Sequence, residues 1–251
     1  MSANEYFEKS LPILEKIRTT QMDALQRAGQ ACAESIAAGR AVHMFGSGHS
    51  VLPVQDMFPR YGAYVGFHPI MDPRLMWFNI TGPGGARELL WIERTEGYAR
   101  QILLSHNLDP RDCLVVYSHG GMNAAPVEMA LAGKEAGLTV IGVTSVANRR
   151  RNQPTHSSGK ALADIADIVI DNCCPPEDAL VDVEGRPEKV AASSTLAAVG
   201  LTMALLAETT AVLTRMGKTP ERIFVSPNVT EVDPDNNQQV FRDYMEWEKR
   251  L

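Results

Sequence analysis

The stretch AVHMFGSGHS, residues 41–50, decides the fold. A mostly apolar run, residues 41–45, ends at Gly46 and Gly48, which alternate with small polar residues. Apolar runs without polar alternation are typical of strands that are buried on both faces, as in parallel sheets covered by helices. Glycines directly after such a strand indicate a close approach of the backbone to another group. We therefore expect residues 41–45 to form a core strand of an α/β domain.

Similar apolar runs recur along the chain and alternate with helical patterns. Further strands are expected at residues 63–69, 112–118, 138–145 and 167–172. Helices are expected at residues 7–36, 93–107, 126–137 and 158–166, from Ser193 onward, and at 236–251. This alternation predicts a single doubly wound sheet of about five parallel strands flanked by helices. No linker divides the chain, so we expect one domain, residues 1–251, with a helical extension at 1–39, a core at 40–217 and a tail with a helix at 218–251.

Composition excludes several kinds of partner. The 251 residues carry a net charge of -6, from 24 basic and 30 acidic side chains, with no basic block that would indicate nucleic acid. The sequence NRRR at 148–151 is expected to be a solvated loop. Residues 195–213 are the most membrane-like, but Glu208 and several threonines favour a buried core helix, so no membrane partner is expected.

The cysteines and the amino terminus indicate a reduced cytoplasmic protein without metal or cofactor. Charged residues stand where a signal peptide needs an apolar core. The four cysteines lack the spacing of a zinc site, and two of them are adjacent in the chain. They are Cys32, Cys113, Cys173 and Cys174.

The loop after the first strand does not match three well-known binding motifs. A dinucleotide fingerprint needs a third glycine near position 51, where the chain has Val51. The lysine of a nucleoside-triphosphate loop and the Gly-x-Ser-x-Gly of a hydrolase are also missing. What remains is a loop whose amides and hydroxyls can surround an anion or a polyol, or a plain tight turn.

Three further loops have the same character and favour the anion. They follow the later strands or begin a helix, and the carboxyl ends of parallel strands meet at one edge of a sheet. The candidate substrate-binding residues are Gly46, Ser47, Gly48, Ser50, Ser118, His119, Gly120, Gly121, Asn123, Thr144, Ser145, Ser193, Ser194 and Thr195. Because the protein is acidic, local dipoles rather than net charge must hold the anion.

These motifs resemble the SIS (sugar isomerase) domain family, most closely its small stand-alone bacterial branch. The resemblance is carried by residues 45–50, the loop at 118–123, residues 158–172 and the sequence SSTL at 193–196. It implies a phosphosugar between the sheet edge and the helices, and a homo-oligomer whose subunits complete each other's sites. One departure is the second loop, where the family's Ser-x-Ser-Gly reads Ser118-His119-Gly120-Gly121, so one phosphate hydroxyl is lost and His119 offers an imidazole instead.

Three residues are candidates for catalysis. Aldose–ketose isomerisation needs a base that moves a proton between neighbouring carbons and an acid at the carbonyl or ring oxygen. Glu93 and Glu96 are expected to begin a helix that approaches the sheet edge, on nearly one face; the alternative is that they only stabilise the helix amino terminus. His49 lies in the cradle itself. His43 is expected to be a buried histidine with its hydrogen bonds satisfied.

We therefore expect a cytoplasmic protein that binds a phosphorylated or otherwise anionic sugar, as an aldose–ketose sugar-phosphate isomerase. The alternatives are a non-catalytic sugar-phosphate sensor and a sugar-phosphate etherase or lyase on the same fold. The amino-terminal helix and the sequence MEWEKRL at 245–251 present apolar side chains that one small sheet does not cover. A homodimer or homotetramer is expected for this reason.

Overall fold

A computed structural model describes residues 2–251. Five strands form one parallel sheet in the order β2-β1-β3-β4-β5. They are β1 (Val42–Gly46), β2 (Phe67–Ile70), β3 (Cys113–Tyr117), β4 (Thr139–Thr144) and β5 (Ile168–Asp171). Two short strands, β6 (Ala179–Val181) and β7 (Val190–Ala192), form a separate antiparallel pair. The predicted α/β fold with a five-stranded parallel sheet is confirmed.

Ten α-helices accompany these strands within residues 2–251. They are α1 (Ala3–Thr20), α2 (Met22–Ala37), α3 (Leu52–Gln55), α4 (Ala86–Ile92), α5 (Tyr98–Leu103), α6 (Ala124–Glu135), α7 (Val146–Arg151), α8 (Leu162–Ile165), α9 (Ser194–Arg215) and α10 (Asn236–Glu248). Two short 3-10 helices lie at Gly48–Val51 and Pro73–Leu75. The proposed division into extension, core and tail stays a prediction.

Both faces of the sheet are buried, and neighbouring residues of β1 show it. Met44 belongs to the apolar cluster that includes Leu25 of α2 and Leu205 of α9. Phe45 belongs to a second cluster, which includes Met129 of α6. Because successive side chains of a strand point to opposite faces, these two clusters lie on opposite sides of the sheet.

Helices α2 and α9 pack closely on one face. A Cβ atom at Gly29 would lie 2.6 Å from Cγ of Glu208, so glycine permits the contact. By length and composition alone, α9 is the one described helix apolar enough to cross a membrane. However, Ala197, Leu201 and Leu213 along one side are buried in the first cluster. This side of α9 therefore forms part of the protein core.

Two helix predictions are wrong at points where the structure breaks the pattern. The expected helix over 7–36 is interrupted at Gln21, whose side-chain oxygen accepts a hydrogen bond from the amide of Asp171 at 2.9 Å. The helix expected over 93–107 begins only at Tyr98, because Gly97 adopts a left-handed conformation with φ of 92°. Glu93 instead ends α4.

Two other segments form regular secondary structure that the sequence pattern does not predict. Residues 148–151, expected to be a loop, lie in α7, which is capped by Ser145 accepting a hydrogen bond from the amide of Asn148 at 3.2 Å. The pair β6–β7 was not predicted, because each strand has only three residues. Neither segment belongs to the five-stranded sheet.

A buried ion pair fixes the amino ends of the central strands. The Arg40 guanidinium donates to both carboxylate oxygens of Asp112, at 2.9 and 3.0 Å, and the amide of Ala41 donates to the same carboxylate at 3.0 Å. Burial raises the pKa of Asp112, but hydrogen bonds from His43 and Arg40 outweigh it and hold this pKa well below its usual range. His43 is buried between Asp112 and His68, as the sequence predicted.

Replacing Asp112 by Asn should destabilise the protein by about 3 kcal/mol at pH 7, because Arg40 loses its countercharge in a buried position. Urea unfolding measures this difference. Asp112 has a lowered pKa in the folded state, so its stabilisation is present above its ordinary pKa of 3.8 and is lost as the pH falls further. The wild type and the variant should therefore converge in stability at low pH.

The matched control is Asp23→Asn, which removes an exposed ion pair with Arg27. Exposed pairs of this kind contribute about 0.5 kcal/mol or less. If Asp112→Asn cost no more than this control, the buried pair would not stabilise the fold.

Candidate functional site

A small cavity lies at the carboxyl edge of the sheet, where the loops after β1 and β3 meet the start of α9. Its volume is about 20 Å³, which accommodates about one water molecule. The lining residues are His49, Ser50, Tyr117, Ser118, His119, Val143, Asn172, Ser194, Thr195 and Ala198. Six of the predicted site residues are thus brought together around one space.

The glycines after β1 let the chain fold back over the strand end. A Cβ atom at Gly46 would lie 2.0 Å from the carbonyl oxygen of Ser50, so no other residue fits. Gly48 has a φ of 58°, which favours glycine, and the position of its missing Cβ lies 3.4 Å from the Trp77 ring. The same indole contacts His49, with ring centroids 4.5 Å apart. This backbone path places His49 and Ser50 at the cavity.

The loop after β3 is equally constrained. Gly121 has a φ of 67°, and a Cβ there would lie 2.6 Å from the hydroxyl oxygen of Thr144. Its amide donates to the hydroxyl oxygen of Ser118 at 3.0 Å, while Asn148 donates to the carbonyl of Gly120 at 3.0 Å. Since Ser118 accepts this bond, its hydroxyl proton is free to donate into the cavity.

His119 lines the cavity, but both of its ring nitrogens are engaged by the protein. The side-chain amide of Asn172 donates to Nδ1 at 3.2 Å, which puts the ring proton on Nε2. Nε2 then donates to the carbonyl oxygen of Pro176 at 3.4 Å. His119 thus holds the segment after β5, and its expected contact with an anion stays a prediction.

Thr144 and Ser145 lie beneath the cavity. Both are buried, and neither contributes to its lining. The hydroxyl of Thr144 donates to the carbonyl of His119 at 3.2 Å, and that of Ser145 donates to the carbonyl of Cys174 at 2.9 Å. These bonds connect the loops to one another, and the expected contacts of Thr144 and Ser145 with a substrate stay predictions.

The start of α9 holds a carboxylate of the chain itself. The backbone amides of Ser193 and Ser194 donate to Asp178 at 2.9 and 2.7 Å, and the hydroxyl of Ser194 donates to it at 2.7 Å. Burial raises the pKa of Asp178, but the hydrogen bonds from Ser194 and Ser193 prevail and lower it. The two serines predicted to bind an anion are therefore occupied, whereas the hydroxyl of Thr195 has no hydrogen-bond partner among residues 2–251.

Glu93 connects the two glycine loops. Its side chain accepts hydrogen bonds from the hydroxyl of Ser47 at 2.9 Å and from the amide of Asn123 at 2.8 Å. The residue is only 6% exposed, and burial raises the pKa of its carboxyl against the smaller opposing effects of Ser47 and Arg94. Ser47 and Asn123, expected to contact the substrate, thus bind this carboxylate.

Glu96 lies apart from Glu93. It accepts hydrogen bonds from the amide of Ser157, at 2.8 Å, and from the Ser157 hydroxyl, and these bonds lower the pKa of Glu96. Glu96 does not line the cavity. The expectation that both glutamates share one helix face is wrong, because the turn at Gly97 follows the end of α4. Residues 2–251 contain no group of three or more His, Cys, Asp or Glu that could hold a metal ion.

The fold and this arrangement of loops agree with the family to which the chain belongs, the SIS domain family, whose model matches residues 5–145. A UPF0309 protein of Caldanaerobacter subterraneus subsp. tengcongensis is 36% identical over 189 residues, 75% of each chain. A UPF0309 protein of Thermoanaerobacter pseudethanolicus is 31% identical over 251 residues, 98% of this chain and 99% of that one. The resemblance stated from the motifs is thereby confirmed.

Solved structures show the same fold at low sequence identity. A phosphoheptose isomerase from Francisella tularensis superposes with a TM-score of 0.55 at 17% identity, over 83% of this chain and 98% of that chain. At 17% identity, this similarity shows that the two proteins share a fold and does not extend to their functions.

Proposed function

We propose that the protein binds a phosphorylated sugar in the cavity at the carboxyl edge of the sheet. The observation that carries this proposal is the meeting of Ser118, Ser50 and Thr195 around one space. All three hydroxyls have a proton to donate, and none of the described residues that line the cavity is a lysine or an arginine. An anion in this place is held by hydroxyls, backbone amides and the helix dipole, which suits a phosphate group.

The likeness to a phosphoheptose isomerase supports a sugar phosphate as the ligand class. In this proposal the loop at 118–121 and the start of α9 together bind the phosphate, and His49 contacts a sugar hydroxyl or the ring oxygen. The side chain of His49 has no hydrogen-bond partner within residues 2–251, so both ring nitrogens are available. The cytoplasmic location expected from the sequence remains part of the proposal.

Ser118→Ala should weaken sugar-phosphate binding roughly 10- to 100-fold, since a hydrogen bond to a charged acceptor contributes about 1.5–3 kcal/mol. Isothermal titration calorimetry against a panel of aldose and ketose phosphates measures this change. The matched control is Ser105→Ala, at a serine that follows α5 and does not line the cavity. Equal affinity of the Ser118 and Ser105 variants would contradict the proposed phosphate position.

For the reaction we propose aldose–ketose isomerisation with Glu93 as the base. In such a reaction the carboxylate takes a proton from C2 of the sugar and returns it to C1, while another proton moves from O2 to O1. Burial raises the pKa of the Glu93 carboxyl, which makes its carboxylate a stronger base than an exposed one and suits it to proton transfer. Glu93 does not line the cavity, but it is hydrogen-bonded to Ser47 and Asn123, which belong to the loops that carry His49 and Ser118.

A non-catalytic sensor is the second candidate, and one observation favours it. Each oxygen of the Glu93 carboxylate already accepts a hydrogen bond, from Ser47 or from Asn123. In a sensor, Glu93 would connect the two loops and take no proton from the sugar. The isomerase and the sensor differ in whether a proton leaves the sugar carbon.

Glu93→Gln should abolish exchange of the C2 proton of a bound sugar phosphate with deuterated water, with a loss of about 10²–10⁴-fold that is typical of a general base. Proton NMR of the sugar measures the exchange. Affinity should change far less, because the phosphate contacts remain. Glu96→Gln is the matched control and should exchange like the wild type. Binding without any exchange by the wild type would favour the sensor.

We also propose that the protein forms a homodimer or homotetramer. Phe7 and Leu11 of α1 are 58% and 59% exposed, and Met245 of α10 is 54% exposed. The outer side of α9 carries small residues that are exposed, and these are Gly200, Ala204, Ala207 and Ala211. Gly200 contacts Leu14, so the exposed sides of α1 and α9 are continuous. A second copy of the chain would cover these apolar side chains.

Leu11→Glu should shift the protein to smaller species, because it places a charge in the proposed interface between copies. Multi-angle light scattering at micromolar concentration gives the mass directly. Lys16→Glu, also exposed on α1, is the control for a change of charge alone. A wild type with the mass of one chain would overturn the proposed assembly.

A further inference from the structure

The carboxylate of Asp178 occupies the place that the sequence assigns to a ligand anion. One of its oxygens accepts hydrogen bonds from the amides of Ser193 and Ser194, and the other accepts the hydroxyl proton of Ser194. The hydroxyl of Ser193 also donates a hydrogen bond to the backbone carbonyl oxygen of Asp178 at 2.9 Å. Two oxygens of a phosphate would need these same donors at the start of α9.

We infer that Asp178 is an internal competitor for the anionic group of the ligand and thereby sets the affinity of the site for anions. This inference rests on the proposed function, since it concerns the same cavity. A phosphate and the Asp178 carboxylate cannot use the same amides of Ser193 and Ser194 together. Both would also place negative charge at one helix terminus, where like charges repel.

Of the residues in this contact, Ser194 lines the cavity, whereas Asp178 and Ser193 do not. The space beside Ser194 and Thr195 measures about 20 Å³ and accommodates about one water molecule. The donors of Ser194 become available to a ligand in this space only when Asp178 leaves them.

Asp178 lies on a segment outside the five-stranded sheet. It follows β5 and directly precedes β6, which pairs only with β7 among the described strands. Asp178 also has a φ of 64°, a left-handed conformation that side-chain-bearing residues adopt at some cost. Hydrogen bonds from Ser193 and Ser194 hold it there, together with the pairing of Ala179 with Ala192, and a ligand that takes the side-chain contacts removes part of that restraint.

The test is the affinity for inorganic phosphate of Asp178→Asn, which keeps the size of the side chain and removes its charge. Calorimetry at constant ionic strength should give an affinity at least tenfold higher than that of the wild type. Glu177→Gln is the matched control, because it removes a neighbouring carboxylate that pairs only with Arg151 and Lys189 among the described residues. Its phosphate affinity should equal that of the wild type.

An affinity of Asp178→Asn equal to or below that of the wild type would overturn the inference. A second measurement needs no variant: hydrogen exchange of the wild type with and without saturating phosphate. The amides of residues 177–181 should exchange faster with phosphate bound, and unchanged or slower exchange would count against the competitor. Failure of the proposed function would give a different result. The affinity of Asp178→Asn for inorganic phosphate would rise, but sugar phosphates would bind no more tightly than inorganic phosphate.

Discussion

The buried carboxylate of Glu93 is the interaction on which the geometry of the candidate site depends. A carboxylate removed from water is costly unless hydrogen bonds replace those lost. Ser47, from the loop after β1, and Asn123, from the start of α6, supply these bonds. The backbone carbonyl of Glu93 also accepts the amide of Ala125 at 3.0 Å. One residue thus sets the distance between the two glycine loops, and with it the position of His49 relative to Ser118.

The buried carboxylates at the two ends of the sheet have different hydrogen-bond donors, and their pKa values shift in opposite directions. Asp112 has a guanidinium beside it, and its pKa lies below its usual range. Glu93 receives only neutral hydrogen-bond donors, and burial raises its pKa. Charge compensation favours the anionic form of the first group, whereas burial without a countercharge makes the second easier to protonate. This difference separates a carboxylate that stabilises the fold from one that is suited to proton transfer.

Most of the fold could be predicted from the sequence, because apolar runs and glycine punctuation are local signals. The close backbone approach expected at Gly46 is explained by the carbonyl of Ser50. The hydrogen-bond partners of the polar side chains could not be predicted, because these partners lie far away in the sequence. Nothing near Asp178 indicates that its carboxylate would lie at the start of α9, and the separation of Glu96 from Glu93 depends on a single turn at Gly97. Loop convergence was thus predictable, but which hydroxyls remain free was not.

The packing of α2 against α9 joins segments from opposite ends of the chain, since Gly29 contacts Glu208. A ribosome delivers α2 and the strands β1, β3, β4 and β5 before it delivers α9, so α2 covers this face of the growing sheet without its partner helix until α9 has emerged. Contacts of such large sequence separation form late and slow down folding. The nascent protein must therefore remain soluble while the apolar cluster that includes Met44 and Val115 is incomplete, and protection by a chaperone during synthesis would matter most in that interval.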